Sequence, residues 1–535
     1  MRYPIGLFTL VAAAIAGAWW WLGAAIPMPA SPLAAGERLH CVSYAPFRGQ
    51  QSPLDPAMRV DARQIAEDMA RLRPVTDCVR TYATRNGLDQ VPEIAARHGL
   101  QVMQGIWLGG DPAAAERDLA RAIELATQLP DTIRSIVVGN EVLLRGEMTP
   151  NDLAAAIRRV KAAIRQPVTY ADVWEFWLRH PALYDVVDFV TIHILPYWED
   201  FPIGAGSAAA HLEAIRRKVA TAYPAKEILI GETGWPSAGR MRESARPSPA
   251  DQARVLHDVL RIANQQGFRV NLIEAFDQPW KRRLEGTVGG HWGLLDAERR
   301  TPKFLWGAPV SNHPAWRVQA VGGVAFAALV FGVAFAAHRR AKAAAPAHVL
   351  WLGVAMMAVA PGILLGWAIE NVPLESLTMG DWLRSLAMVG LAVGAPLAGA
   401  IALARGHRVP AFARVLGPAE LRTRGRLALL LGAMLIVLAV VAVQAALGLV
   451  FDPRYKDFPF APLTAAVVPY MVLVLIGNRG SGRRGAAELA FAAVLATSAI
   501  YVVLNESFAN WQALWIGALF VTLAATLILV RDAPS

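Results

Sequence analysis

From Val318 to Val530 the chain alternates long uncharged apolar segments with short polar loops, and nothing else in it restricts the possible folds so strongly. Seven segments, at about 318–337, 349–369, 383–404, 427–450, 461–476, 486–504 and 511–530, have the length a helix needs to cross a hydrocarbon layer. An eighth, Ile5 to Ala25, ends in Trp19, Trp20 and Trp21, residues suited to a membrane interface. A cleavable signal peptide is the other reading of this eighth segment, because small residues follow its apolar core. On either reading the region after it is exported. The 55% hydrophobic content and mean hydropathy of +0.35 are too high for an ordinary soluble enzyme, but the apolar residues concentrate in these segments.

Loop charge orients them. Arg339, Arg340 and Lys342 fall in one loop, Arg405, Arg408, Arg414, Arg422, Arg424 and Arg426 in a second, and Arg479, Arg483 and Arg484 in a third. The alternate loops carry Glu370, Glu375 and Asp381, a mixed "FDPRYKDF", and Glu506. The positive-inside rule places the first set in the cytoplasm, in agreement with Arg2 inside and residues 37–316 outside. Eight spans with both ends inside is therefore the expected topology. The net charge of +10 resides largely in these inner loops, so no nucleic-acid partner is expected, and the exported part has no Lys/Arg run interleaved with aromatics.

The expected organisation is an anchor at 1–26, a Pro/Ala-rich linker at 27–37, an exported domain at 38–310 and a seven-span region at 317–535. Within the exported domain eight apolar strand candidates recur: "HCVSYAPF", "CVRTYAT", "QVMQGIWL", "RSIVVGNE", "PVTYADV", "VDFVTIHIL", "EILIGETGW" and "RVNLIEAFD". Amphipathic helical stretches such as "NDLAAAIRRVKAAI" separate them. Eight strand–helix units in this length predict an α/β fold, a closed (β/α)8 barrel of the TIM type, beside an all-α membrane part. The only cysteines, Cys41 and Cys78, each open a strand. They can form a disulfide in an oxidising compartment or stay as buried thiols. No Cys or His pair has zinc spacing, and no metal or cofactor is expected.

In such a barrel the chemistry lies at the C-terminal strand ends, where Asn140 and Glu141, His193 and Tyr197, Glu232, and Asp277 fall. Glu232 ends the aliphatic run "EILIGE", a costly place for an unpaired carboxylate. The segments "GNE", "GETGWPS" and "EAFDQPWK" resemble the motifs of glycoside hydrolase family 17, the β-1,3-glucanase and β-glucan transglycosylase family. The resemblance covers about 38–308 and implies that Glu141 is the general acid/base and Glu232 the nucleophile. Where the family commonly has Phe-Asp-Glu-Pro-Trp-Lys, this chain has Gln278.

The chemistry agrees with these residue types. Retention needs one carboxylate to attack the anomeric carbon and a second, protonated, to serve the leaving oxygen about 5 Å away. Asn140 would bond the sugar 2-hydroxyl, and the charge of Glu232 would raise the pKa of Glu141. Tyr44, Tyr82, Trp107, Tyr197, Trp198, Trp235 and Trp280 stand where sugar faces could stack, with core packing as the alternative for each. His193 and Lys281 are further sugar-contact candidates, against a core histidine and a solvated lysine; Asp277 and Gln278 complete the set.

The expected function is a membrane-anchored retaining enzyme on β-1,3-glucan that builds β-1,6 links or branches, resembling bacterial inner-membrane members associated with periplasmic or cyclic glucan. A hydrolase and a non-catalytic glucan-binding or export partner are the alternatives. A separate glucan synthase is a possible partner, since no motif for polymerisation from an activated sugar is present.

Overall fold

Eight short strands, each parallel to the next, close into a barrel in the order β1 to β8 in the computed structural model, which describes residues 2–298, 300–340, 346–418, 422–423, 425–477 and 484–531. The strands are β1 Cys41–Ser43, β2 Cys78–Arg80, β3 Gln101–Ile106, β4 Ile133–Asn140, β5 Val168–Val173, β6 Val190–His193, β7 Ile228–Thr233 and β8 Val270–Leu272. Pairing of Val42 with both Val79 and Leu272 closes the ring. Seven lie inside the strand candidates read from sequence, and β4 begins one residue before its candidate, at Ile133. Three of the intervening helices, Pro112–Gln128, Pro150–Ala163 and Pro249–Gln266, begin with proline behind a capping Asp111, Thr149 or Ser248. Each cap accepts a backbone N–H of the first turn, and proline there removes a donor that would lack a partner.

Alternation along the strands sets two cores. Val42, Val79, Ile136, Val138, Ile192 and Ile230 pack outward against the helices. Cys41, Cys78, Met103, Val137, Ala171 and Leu229 form a separate cluster inside the barrel. Cys41 and Cys78, at the starts of adjacent strands, are joined as a disulfide, so of the two readings open in the sequence the structure takes the cross-link. It closes a loop of 37 residues' separation at the barrel end opposite the strand C-termini. Replacing Cys41 by Ala is expected to lower stability by about 2–4 kcal/mol, chiefly by freeing the unfolded chain. Denaturant titration of the full chain, followed by tryptophan emission, measures it; an unchanged midpoint would contradict the assignment.

Of the register shifts along the strands, two bear on the site. Val137 and Asn140 face Thr169 and Ala171, so three steps on β4 oppose two on β5. Ile192 and His193 face Ile230 and Glu232, so β7 carries one extra residue at Gly231. With Leu229 inside and Ile230 outside, strict alternation would send Glu232 to the helix side; the extra residue turns it back into the mouth.

Contacts divide the chain into two units: Ile26–Gly239 with Ser244–Val310, which holds the barrel, and Met1–Ala25 with Arg240–Glu243 and Ser311–Ser535. Among its described residues the second contains eight helices long and apolar enough to cross a membrane: Tyr3–Gly23, Trp316–His338, Ala347–Glu375, Met379–Arg405, Arg426–Phe451, Phe460–Gly477, Ala486–Glu506 and Trp511–Leu529. A Cβ on Gly323 would collide with the carbonyl oxygen of Gly362, so two of these helices meet where only glycine fits. Glu370 and Glu375, read from sequence as loop residues, end the helix Ala347–Glu375. The Glu370 carboxylate accepts from Gln319 Nε2 at 2.8 Å and lies 3.0 Å from His313 Nδ1. Lys342, Arg424, Arg479 and Arg483, used in the loop-charge argument, lie outside the described residues.

Candidate active site

Inward-facing side chains at the ends of β2, β4, β6 and β7 meet in one buried cluster. Arg80, the last residue of β2, lies two positions after the inward Cys78 and is 1% exposed. Its Nη1 donates to the Gly231 carbonyl at 2.7 Å and to Glu232 Oε1 at 3.2 Å, and its Nη2 donates to Asn140 Oδ1 at 2.5 Å. Tyr82 Oη lies 2.8 Å from Glu232 Oε1 and 2.8 Å from Ser43 Oγ, which in turn accepts from Asn271 Nδ2 at 2.8 Å. Two groups therefore hold Oε1 of Glu232, while no hydrogen bond to Oε2 is present among the described residues. Burial, with the Glu232 charge beside it, keeps the Tyr82 hydroxyl protonated far above the usual tyrosine range.

Glu141 follows β4 in a left-handed conformation, φ 52°, two residues after Gly139 at φ 84°. Such a conformation is uncommon outside glycine and is held only where surroundings enforce it. Its carboxylate Oε1 lies 2.8 Å from Nδ1 of the fully buried His193. The opposite ring nitrogen is 3.4 Å from Arg80 Nη1 and 3.7 Å from Glu232 Oε1. Because Arg80 can only donate, the tautomer that suits this contact carries its proton on Nδ1 and donates it to Glu141. Oxygens of Glu141 and Glu232 and a nitrogen of His193 lie within 4.8 Å of one another.

Burial raises the Glu141 pKa, but the His193 hydrogen bond and the charges of His193, Arg145 and Arg80 outweigh it and hold the carboxyl below its usual range. The sequence alone points the other way, to a rise caused by Glu232. That charge is instead neutralised by Arg80, and a donor faces Glu141. The same arginine argues against a metal in this Glu-His-Glu group, because its guanidinium already occupies the position next to both Glu232 and His193, where a divalent ion would be repelled.

The remaining sequence candidates separate. Asn140, Tyr82 and His193 belong to the cluster just described. Lys281 Nζ donates to Glu274 at 2.9 Å; burial opposes its charge, but the carboxylates of Glu274, Glu285 and Glu232 hold it protonated above its usual range. Trp107 is half-buried beneath the Arg145 guanidinium, 4.2 Å from the ring centre. Trp198 is half-buried and lies parallel to Trp292. The half-buried Trp280 donates its Nε1 hydrogen to Gln278 Oε1 at 2.9 Å.

Tyr44, Tyr197, Trp235, Asp277 and Gln278 are buried. Tyr44 donates to Asp68 at 3.0 Å, and Trp235 Nε1 donates to the Arg246 carbonyl at 2.9 Å. Tyr197 packs edge-on among Trp198, Trp235 and Trp292. Asp277 accepts from Lys303 Nζ at 2.5 Å and from the Gly293 N–H at 2.9 Å. Gln278 donates to the carbonyls of Ala45 at 2.7 Å and Phe276 at 3.2 Å, contacts an ionised Glu could not make. Polar residues that sequence reasoning passed over include Arg80, Ser43, Asn271, Asp172 and Glu274. Burial pushes Glu274 up to about 7 against the pull of Lys281.

Residues 41–293 match the BtgE/BtgC glycoside hydrolase domain. The matched stretch spans all eight strands of the barrel and contains every residue of the cluster. A probable beta-glucosidase btgE of Aspergillus fumigatus is 29% identical over 225 residues, 41% of this chain and 39% of that one. A glucan 1,3-beta-glucosidase of Candida albicans is 26% identical over 263 residues, 45% of this chain and 85% of that one. The chain thus spans well under two thirds of the Aspergillus protein's length. Among solved structures, the glycoside hydrolase family 17 beta-1,3-glucanosyltransferase of Rhizomucor miehei is 26% identical, with a TM-score of 0.45 over 50% of this chain and 97% of that one.

Proposed function

We propose that the barrel is a retaining β-1,3-glucan-active enzyme with Glu232 as nucleophile and Glu141 as general acid/base. The observation that carries this reading is the carboxylate spacing: oxygens within 4.8 Å fit the short separation of retaining enzymes and leave no room for the water an inverting pair must hold. Arg80 and Tyr82 on Oε1 orient Glu232, and Oε2 is the oxygen that attacks the anomeric carbon. Glu141 gives its proton to the departing glycosidic oxygen, then as carboxylate takes a proton from the hydroxyl that resolves the glycosyl-enzyme. His193 keeps Glu141 beside this path. Asn140, held by Arg80, meets the sugar 2-hydroxyl, and the half-buried Trp107, Trp198 and Trp280 offer ring faces to flanking sugars, with Lys281 nearby.

β-1,3-Glucan as substrate is supported by the relatives named glucan 1,3-beta-glucosidase. The physiological outcome is transfer to a second glucan, forming β-1,6 links or branches, because a covalent intermediate accepts any hydroxyl that arrives before water. Incubating the full chain in detergent with a defined β-1,3-oligosaccharide is expected to give longer or branched products whose share grows with acceptor concentration. Shorter products alone at high acceptor concentration would leave hydrolysis.

The eight apolar helices anchor this chemistry to a membrane, and the arginine-rich loops put the barrel on the exported side, in a bacterium the periplasmic face of the inner membrane. A nascent glucan delivered by a separate synthase would meet the enzyme there. A reporter fused after Arg340 is expected in the cytoplasm and one after Glu506 outside. The reverse pattern would invert the topology.

A further inference from the structure

The turn that carries Glu141 leaves backbone donors without backbone acceptors, and β5 supplies them. After Glu141 the chain closes a turn in which the Arg145 N–H bonds the Glu141 carbonyl at 2.9 Å and the Glu147 N–H bonds Val142 at 3.1 Å. As at a helix start, the early N–H groups point out of the turn with no carbonyl to accept them. Leu143 N–H donates to Tyr170 Oη at 3.0 Å, and Leu144 N–H reaches Asp172 Oδ2 at 3.4 Å. The Tyr170 hydroxyl donates to the same Oδ2, while Oδ1 accepts the Val173 N–H at 2.8 Å. Tyr170 and Asp172 alternate with the inward Ala171 and so lie on the helix side of β5, outside the substrate path. Both are 0% exposed. Glu141 itself is tied to the same strand through its N–H to the Ala171 carbonyl at 2.8 Å.

We propose, on the reading of Glu141 as acid/base, that Tyr170 and Asp172 are positioning residues for it: they fix the strained turn that presents Glu141, and the negative charge of Asp172 helps Glu141 keep the proton it must deliver. A neighbouring anion disfavours ionisation of a carboxyl. The charged groups acting on this pair are Glu141 and Arg145 beyond β4 and His193 on β6, while Arg80 on β2 acts on Glu141. His193 and the two arginines draw the Glu141 proton off, and Asp172 opposes them. The interaction is mutual: burial first, opposed by the Tyr170 bond and His193 and reinforced by Glu141, pushes Asp172 up to about 6, leaving it mostly ionised at neutral pH.

The test compares Asp172→Asn and Tyr170→Phe in the full chain, each checked for wild-type thermal midpoint. It uses the pH profile of kcat/KM on laminari-oligosaccharides and on an aryl β-glucan glycoside with a dinitrophenolate leaving group. The amide introduced by Asp172→Asn keeps an acceptor but carries no charge. The basic limb of that variant's profile, which reports loss of the Glu141 proton, is expected to move down by about half a pH unit or more, with activity on the natural linkage reduced about tenfold to a hundredfold. The dinitrophenyl substrate needs no proton and should lose little. Tyr170→Phe removes the Leu143 acceptor and keeps the charge, so its rate falls while the basic limb stays in place. A wild-type profile for Asp172→Asn, or equal losses on both substrates, would overturn the proposal. Wild-type chain inactive on both substrates would instead overturn the assignment of Glu141 on which it rests.

Discussion

Glu232→Gln is expected to abolish turnover of β-1,3-oligosaccharides by on the order of 10⁴-fold or more, with the barrel intact. The amide keeps an oxygen that can accept from Arg80 Nη1 and Tyr82 Oη, the two groups now on Oε1, so the surrounding hydrogen bonds survive. What disappears is the proposed nucleophile, because an amide nitrogen in the place of Oε2 cannot attack the anomeric carbon. Circular dichroism and the thermal midpoint monitor the fold, and product release from laminari-oligosaccharides monitors the chemistry. Activity within tenfold of wild type would remove Glu232 from the mechanism.

The second large effect is expected at Arg80. Its guanidinium reaches Glu232, Asn140 and the Gly231 carbonyl, so Arg80→Met leaves the buried Glu232 carboxylate without its positive partner, with Tyr82 alone on Oε1, and takes the guanidinium donor from the Asn140 amide oxygen. Breaking a buried pair in this way costs about 3–5 kcal/mol of stability. Activity should fall about a thousandfold, since Glu232 then loses its positive partner and its orientation. Arg80→Lys should not restore either property, because one ammonium cannot span partners on β4 and β7 at once. Calorimetry with steady-state rates measures both, and a stable, active Arg80→Met would show that Glu232 is held by other means.

Arg80 also shows how far the sequence could be read. Its strand, "CVRTYAT", was legible from its apolar run, but a lone arginine there looks like a solvent-facing end. The signal was parity: two steps beyond an inward Cys78, it faces inward too. Parity would likewise have directed Tyr44, next to the inward Ser43, toward the helices, where it meets Asp68. The eight strands and eight spans were readable because each is a long or repeated pattern. The roles of Gln278 and Asp277 were not, since their partners Ala45 and Lys303 are distant in sequence. Nor were the bulges at Gly139 and Gly231 readable, although these decide that Glu141 and Glu232 face one another. Alternation alone predicts that one carboxylate points away.

The measurement that bears most directly on the central claim is trapping of the covalent intermediate. A 2-deoxy-2-fluoro-laminaribiosyl fluoride forms the glycosyl-enzyme quickly and releases it slowly, because the fluorine destabilises both oxocarbenium-like transition states while the fluoride leaving group favours the first step. Intact mass spectrometry of the full chain is expected to show one added disaccharide, and peptide mapping should place it on Glu232, with none on the Glu232→Gln variant. An enzyme that turns over β-1,3-glucan with no adduct, or with the adduct on another residue, would contradict the account.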